Sequence, residues 1–63
     1  MKNLAKKGAK RAKRLLDAYE RFGGERNVAC VLADLGHHCD AHGLNFLAAL
    51  GEASELYLSE KQP

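Results

Sequence analysis

The chain has a single proline, Pro63, lacks isoleucine and threonine altogether, and has only two valines. With so few β-branched residues and no alternation of apolar and polar positions, strands are excluded and an all-α fold is expected. Long apolar runs are missing as well. The longest uninterrupted stretches span a few residues, which excludes a membrane-crossing helix. No apolar segment follows the basic N-terminus, so a secretory signal is not expected. Two cysteines, Cys30 and Cys39, do not make a disulfide scaffold. The expectation is a cytoplasmic protein with reduced thiols.

Acidic residues are absent from positions 1–14, where Lys2, Lys6, Lys7, Lys10, Arg11, Lys13 and Arg14 stand. All eight carboxylates fall later, against Arg21, Arg26 and Lys61, so a net charge of +2 conceals a strong polarity. Such polarity points one end at a polyanion or an acidic protein surface. A solvated helix face that keeps a small protein soluble has the same composition.

What is present is helical periodicity, in three segments. Sixty-three residues make one domain, and a chain this short buries only about 60% of its unfolded surface. A small three-helix unit is expected over 1–63: a basic helix at 3–22, a second at 26–42 and a third at 46–60. Asn3 can cap the first helix, whose apolar stripe reads Leu4, Gly8, Ala12, Leu15, Tyr19 and Phe22. Lys6, Lys10, Lys13, Arg14 and Arg21 lie opposite, with Asp17 and Glu20 among them. Cations in the first two turns oppose the helix dipole, and Gly8 weakens them further, so fraying is expected there. Gly23-Gly24 ends the helix.

In the second helix Val28, Val31, Leu32, Leu35, Cys39 and His42 share a stripe, with Gly36 on its flank open to close approach. Gly43 provides a left-handed stop and Asn45 caps the third helix. The short Gly43-Leu44 link forces helices two and three into a tight αα-hairpin. Phe46, Ala49, Leu50, Ala53, Leu56 and Tyr57 form the buried stripe of helix three. A second apolar stripe, Leu47, Gly51, Ser54 and Leu58, either packs helix one or binds another chain. Packing is the expected use, because so short a chain needs every apolar group.

Residues 35–43, "LGHHCDAHG", concentrate side chains able to bind metal or move protons. Helical geometry disperses them. Only His38 and His42, spaced i and i+4, can chelate from one face, and Asp34 one turn earlier can join them or pair with His38. There is no CxxC, and Cys39 sits in the apolar stripe, so no complete zinc site, cofactor or catalytic centre is expected. Histidines at the last turn favour the negative end of the helix dipole.

The stretch "LADLGHHCDAHGLNF", through Asp34, Leu35, His37, Cys39, Asp40, Gly43, Leu44, Asn45 and Phe46, resembles a box of small helical phage and prophage proteins. Asn45 stands where that box more usually has aspartate, and His38 where it has an aromatic. The resemblance covers about a quarter of the chain. It implies a mobile-element origin and no assigned activity, and a bacterial host cell as the site of action.

The functional expectation is therefore a non-enzymatic binding protein. Its partner would be a host protein or protein–nucleic acid complex, and inhibition of a defence system such as CRISPR is one role that suits it. Contact would run through Lys6, Lys10, Lys13 and Arg14, or through Leu47, Ser54 and Leu58. The alternative is nonspecific nucleic-acid binding by the basic helix, although that run lacks aromatics for base stacking. Membrane attachment is not expected, since the apolar side of helix one is modest and no lipidation motif is present. A homodimer is compatible with all of this.

Overall fold

The structure is a computed structural model and describes residues 3–61; Met1, Lys2, Gln62 and Pro63 lie outside the described residues. Three helices follow one another, α1 Leu4–Arg21, α2 Val28–Ala41 and α3 Phe46–Lys61, with α3 packed against both others. The fold is all-α, as the periodicity requires, and each boundary falls within two residues of its expected place. Every helix opens on an asparagine. The Asn3 Oδ1 accepts from Lys6 N–H at 2.9 Å, the Asn27 Oδ1 from Ala29 and Cys30, and the Asn45 Oδ1 from Ala48 at 2.9 Å. Each satisfies amide donors that the first turn leaves without helical partners. The cap at Asn27 sets the start of α2 at Val28, two residues beyond the expected 26. The first two turns of α1, expected to fray, are helical from Leu4 onward.

Both connections use the same device. After α1, Gly23 takes φ +94°, Gly24 N–H donates to the Tyr19 carbonyl at 2.9 Å and Gly23 N–H to that of Glu20 at 3.0 Å. After α2, Gly43 takes φ +68° and Leu44 N–H donates to the Cys39 carbonyl at 2.8 Å. This paired closure of a helix end is the Schellman motif, and its left-handed residue is normally glycine. The glycine at 24 is needed for a different reason. The Tyr19 ring occupies the space where a Cβ would stand.

The expected stripes are only partly buried. Val31, 8% exposed, is the one core residue among those described. On α1 the inward face is turned toward Gly8, Leu16, Ala18 and Tyr19, whereas Leu4, Ala12, Leu15 and Phe22 are exposed, Phe22 to 88%. A stripe read on one helix assumes a partner over its middle, whereas α1 and α3 leave an open groove between them, lined on α1 by Ala5, Gly8, Ala9 and Ala12. On α2, Leu32, Leu35, Val28 and His42 are exposed and Cys39 is half-buried rather than enclosed. On α3 Phe46 and Leu50 are half-buried, while Ala49, Ala53, Leu56 and Tyr57 are exposed. The molecule is a plate, 37 by 27 by 16 Å. With Val31 the one buried residue among those described, its three helices enclose little interior for the stripes to point into.

Candidate functional site

The side chains of Lys6, Lys10, Lys13 and Arg14 all lie on the exposed surface of α1. By helix geometry they fall within an arc of about 100°. Two carboxylates share this helix, and both are engaged. Arg26 reaches back over the Gly23-Gly24 turn to Asp17 at 2.6 Å and Glu20 at 3.1 Å. Asp17 also accepts from Lys13 at 3.2 Å. The Arg26 guanidinium, then Lys13, hold the Asp17 carboxyl below its usual range, and the same pairing raises Arg26. Lys13 is therefore partnered, a feature the sequence reading did not assign. Among the described residues Lys6, Lys10 and Arg14 form no ion pair, so the basic face is not neutralised from within.

Leu47 and Leu58 lie about 20° apart around α3 by helix geometry, and both are exposed, Leu47 to 76%. Ser54 and Gly51 are exposed beside them. The expectation that this stripe packs helix one is overturned: all four of its residues are exposed, and the open groove between α1 and α3 is lined on α3 by Ala53, Leu56, Tyr57 and Glu60 instead. The stripe is left for another molecule or for water.

The histidine-rich end of α2 is arranged as helix geometry dictates. The His38 and His42 rings lie one turn apart, centroids 4.4 Å from each other and planes tilted by 42°. Asp34 does not join them. It accepts a short hydrogen bond from the Tyr19 hydroxyl, which also donates toward the Cys30 carbonyl at 3.2 Å. Among the described residues no three His, Cys, Asp or Glu side chains are grouped to hold a metal ion. His37 and Asp40 instead border an open hollow of about 670 Å³, with Gly36, Leu44 and Phe46, at the α2–α3 corner.

Tyr19 is the residue whose part the sequence reading missed. It was placed on the apolar stripe, and it is the polar tie between α1 and α2. The bond to Asp34, then burial, raise its hydroxyl to about 12. Burial and the neighbouring Glu25, whose carboxylate lies 3.7 Å from the Cys30 Sγ, push the Cys30 thiol up. A thiol so placed is the reverse of an activated nucleophile. The signal available in the sequence was weak: a tyrosine four residues before Gly23, with an aspartate fifteen residues on.

No protein-family model, curated protein or solved structure matches the chain. No helix among the described residues is long and apolar enough to cross a membrane.

Proposed function

We propose that this chain is a small, non-catalytic binding protein of a phage or other mobile element that acts through protein–protein contacts inside a bacterial host. The observation that carries the reading is the basic face of α1. Lys6, Lys10 and Arg14 are exposed without ionic partners, while Arg26 occupies the helix's own acids. A surface of this kind steers an acidic partner toward it and needs no pocket. The partner is a host protein or a protein–nucleic acid complex, and blocking a defence system such as CRISPR is the kind of task such a surface performs. The reading assigns no catalytic part to Cys30, whose thiol burial and Glu25 push up, or to His38 and His42, whose rings lie against each other.

The unbroken cation run before Asp17 also favours a second reading, nonspecific binding to a phosphate backbone. One experiment separates them. The tagged chain is used to capture partners from a bacterial host lysate, with and without nuclease, beside a Lys6, Lys10, Lys13 and Arg14 quadruple glutamine variant. A protein retained after nuclease treatment and lost with the variant supports the first reading. Retention of nucleic acid alone, with a steep salt dependence, supports the second. Equal capture by parent and variant removes both.

A further inference from the structure

A folded monomer of 6.9 kDa is expected to expose about 4,000 Å² from the scaling of surface with mass. This chain exposes 5454 Å². Its radius of gyration is 13.2 Å, against about 10.6 Å for a compact chain of this length. With Val31 the one buried residue among those described, the three helices lack the second layer that an enclosed core requires. The surplus is about 1,450 Å² per chain, or about 2,900 Å² for a pair, which lies in the range of obligate homodimers.

We propose that the second layer is another copy of this chain, docked two-fold symmetrically over the groove between α1 and α3. The groove, about 450 Å³, has two unlike walls. Ala5, Gly8, Ala9 and Ala12 form a flat wall on α1, and Leu56 and Tyr57 project from α3, each still 60% exposed. A two-fold axis sets the flat wall of each copy opposite the projecting wall of the other, which is the self-complementarity an isologous interface requires. Charge follows the same pattern. α1 has no acid before Asp17, whereas α3 holds Glu52, Glu55 and Glu60 against Lys61 alone. The symmetric pairing brings Arg11, whose guanidinium borders the flat wall at Gly8, toward the acidic helix of the partner, and leaves Lys6, Lys10, Lys13 and Arg14 outside the groove. Leu47 and Leu58, about 100° around α3 from the groove-lining side by helix geometry, take no part. The outer cations of α1 stay available, so the dimer stands independently of the host partner.

The test is the mass of the purified full chain in solution, by light scattering and sedimentation over a dilution series, with the melting temperature read on the same samples. The expected result is a dimer whose melting temperature rises with concentration, because association and folding are linked. Gly8→Leu probes the groove without emptying the fold. A Cβ there meets only the Arg11 guanidinium, at 4.0 Å, and leucine suits a helix better than glycine. It should weaken the dimer at least tenfold while the single chain stays helical, and Tyr57→Ala should act in the same direction. Leu47→Ser with Leu58→Ser should leave the dimer intact. A monomer at all concentrations with a fixed melting temperature overturns the proposal. So does a dimer that survives Gly8→Leu and Tyr57→Ala but falls apart in the double serine variant, since association would then run through the other stripe.

Discussion

The ring of Phe46, the first residue of α3, lies against Gly36 in the middle of α2, so that a Cβ at position 36 would stand 3.2 Å from two ring carbons. This contact seats the hairpin. Glycine inside a helix costs roughly 0.5–1 kcal/mol relative to alanine, so bareness at 36 is held against propensity by the approach of a ring. Gly36→Ala should therefore change stability by less than about 0.5 kcal/mol, the propensity gain offsetting a displaced ring. Gly36→Leu should destabilise by roughly 1–3 kcal/mol through overpacking. Thermal melts of the two variants decide. A stabilising leucine would show that the ring is not seated there.

The corner that closes the hairpin gives a second expectation. Gly43 sits at φ +68°, where a residue with a β-carbon costs roughly 1 kcal/mol or more, and a β-branched one is worse placed still. Loss of the Asn45 cap should cost about 1 kcal/mol. Gly43→Val and Asn45→Ala should each lower the melting temperature. Equality with the parent in both would remove the corner from any account of stability.

These two sites show what was legible. Asn3, Gly23, Gly43 and Asn45 act through backbone conformation within a few residues, and the sequence alone places all four. Tyr19 and Arg26 act across a turn. Their partners, Asp34 and Asp17, depend on how the Gly23-Gly24 turn sets the link and α2 against α1, which no period within a single helix encodes. The apolar stripes were read correctly as apolar and wrongly as interior. Periodicity tells which side chains share a face, whereas the plate-like packing of α3 decides which faces are covered. The basic face of α1 was legible because exposed charge needs no partner to define it; the pairing of Lys13 with Asp17, an i, i+4 contact, could have been found from spacing.

Tyr19 makes the tie between α1 and α2 sensitive to alkali. Its hydroxyl, raised from an ordinary value of 10 to about 12, favours the neutral form in the folded state. The stabilisation is thus complete below pH about 10, where both states are protonated, and is lost as pH climbs toward 12 through the folded value. In a Tyr57→Phe background, ultraviolet absorbance follows Tyr19 alone. Its ionisation should come late and coincide with loss of helix signal. An ordinary titration at constant helicity would mean that the bond to Asp34 does not form in solution. Tyr19→Phe should abolish this alkaline transition and leave Asp34 without its donor.

The last expectation concerns the quadruple glutamine variant at Lys6, Lys10, Lys13 and Arg14. None of the four side chains enters the groove or the α1–α2 tie, so their loss vacates no packed volume. Lys6 with Lys10, and Lys10 with Arg14, are like charges one turn apart, and relieving each repulsion should return a few tenths of a kcal/mol to the helix. Against this stands the loss of Lys13 from Asp17, which keeps Arg26 at 2.6 Å. The two effects oppose each other, and the melting temperature should stay close to that of the parent. Binding is not so balanced. Every contact removed from an acidic partner slows association by weakening the attraction that steers encounter, whether or not the contact is desolvated in the complex. The variant should therefore fold as the parent does, bind its host partner with a slower on-rate, and show a weaker dependence of that rate on salt. A fall in melting temperature would mean that the outer face of α1 is itself packed, against the acidic α3 of a second copy. Unchanged binding with unchanged stability would move the interaction to Leu47, Ser54 and Leu58, where serine substitution of the two leucines is the next measurement.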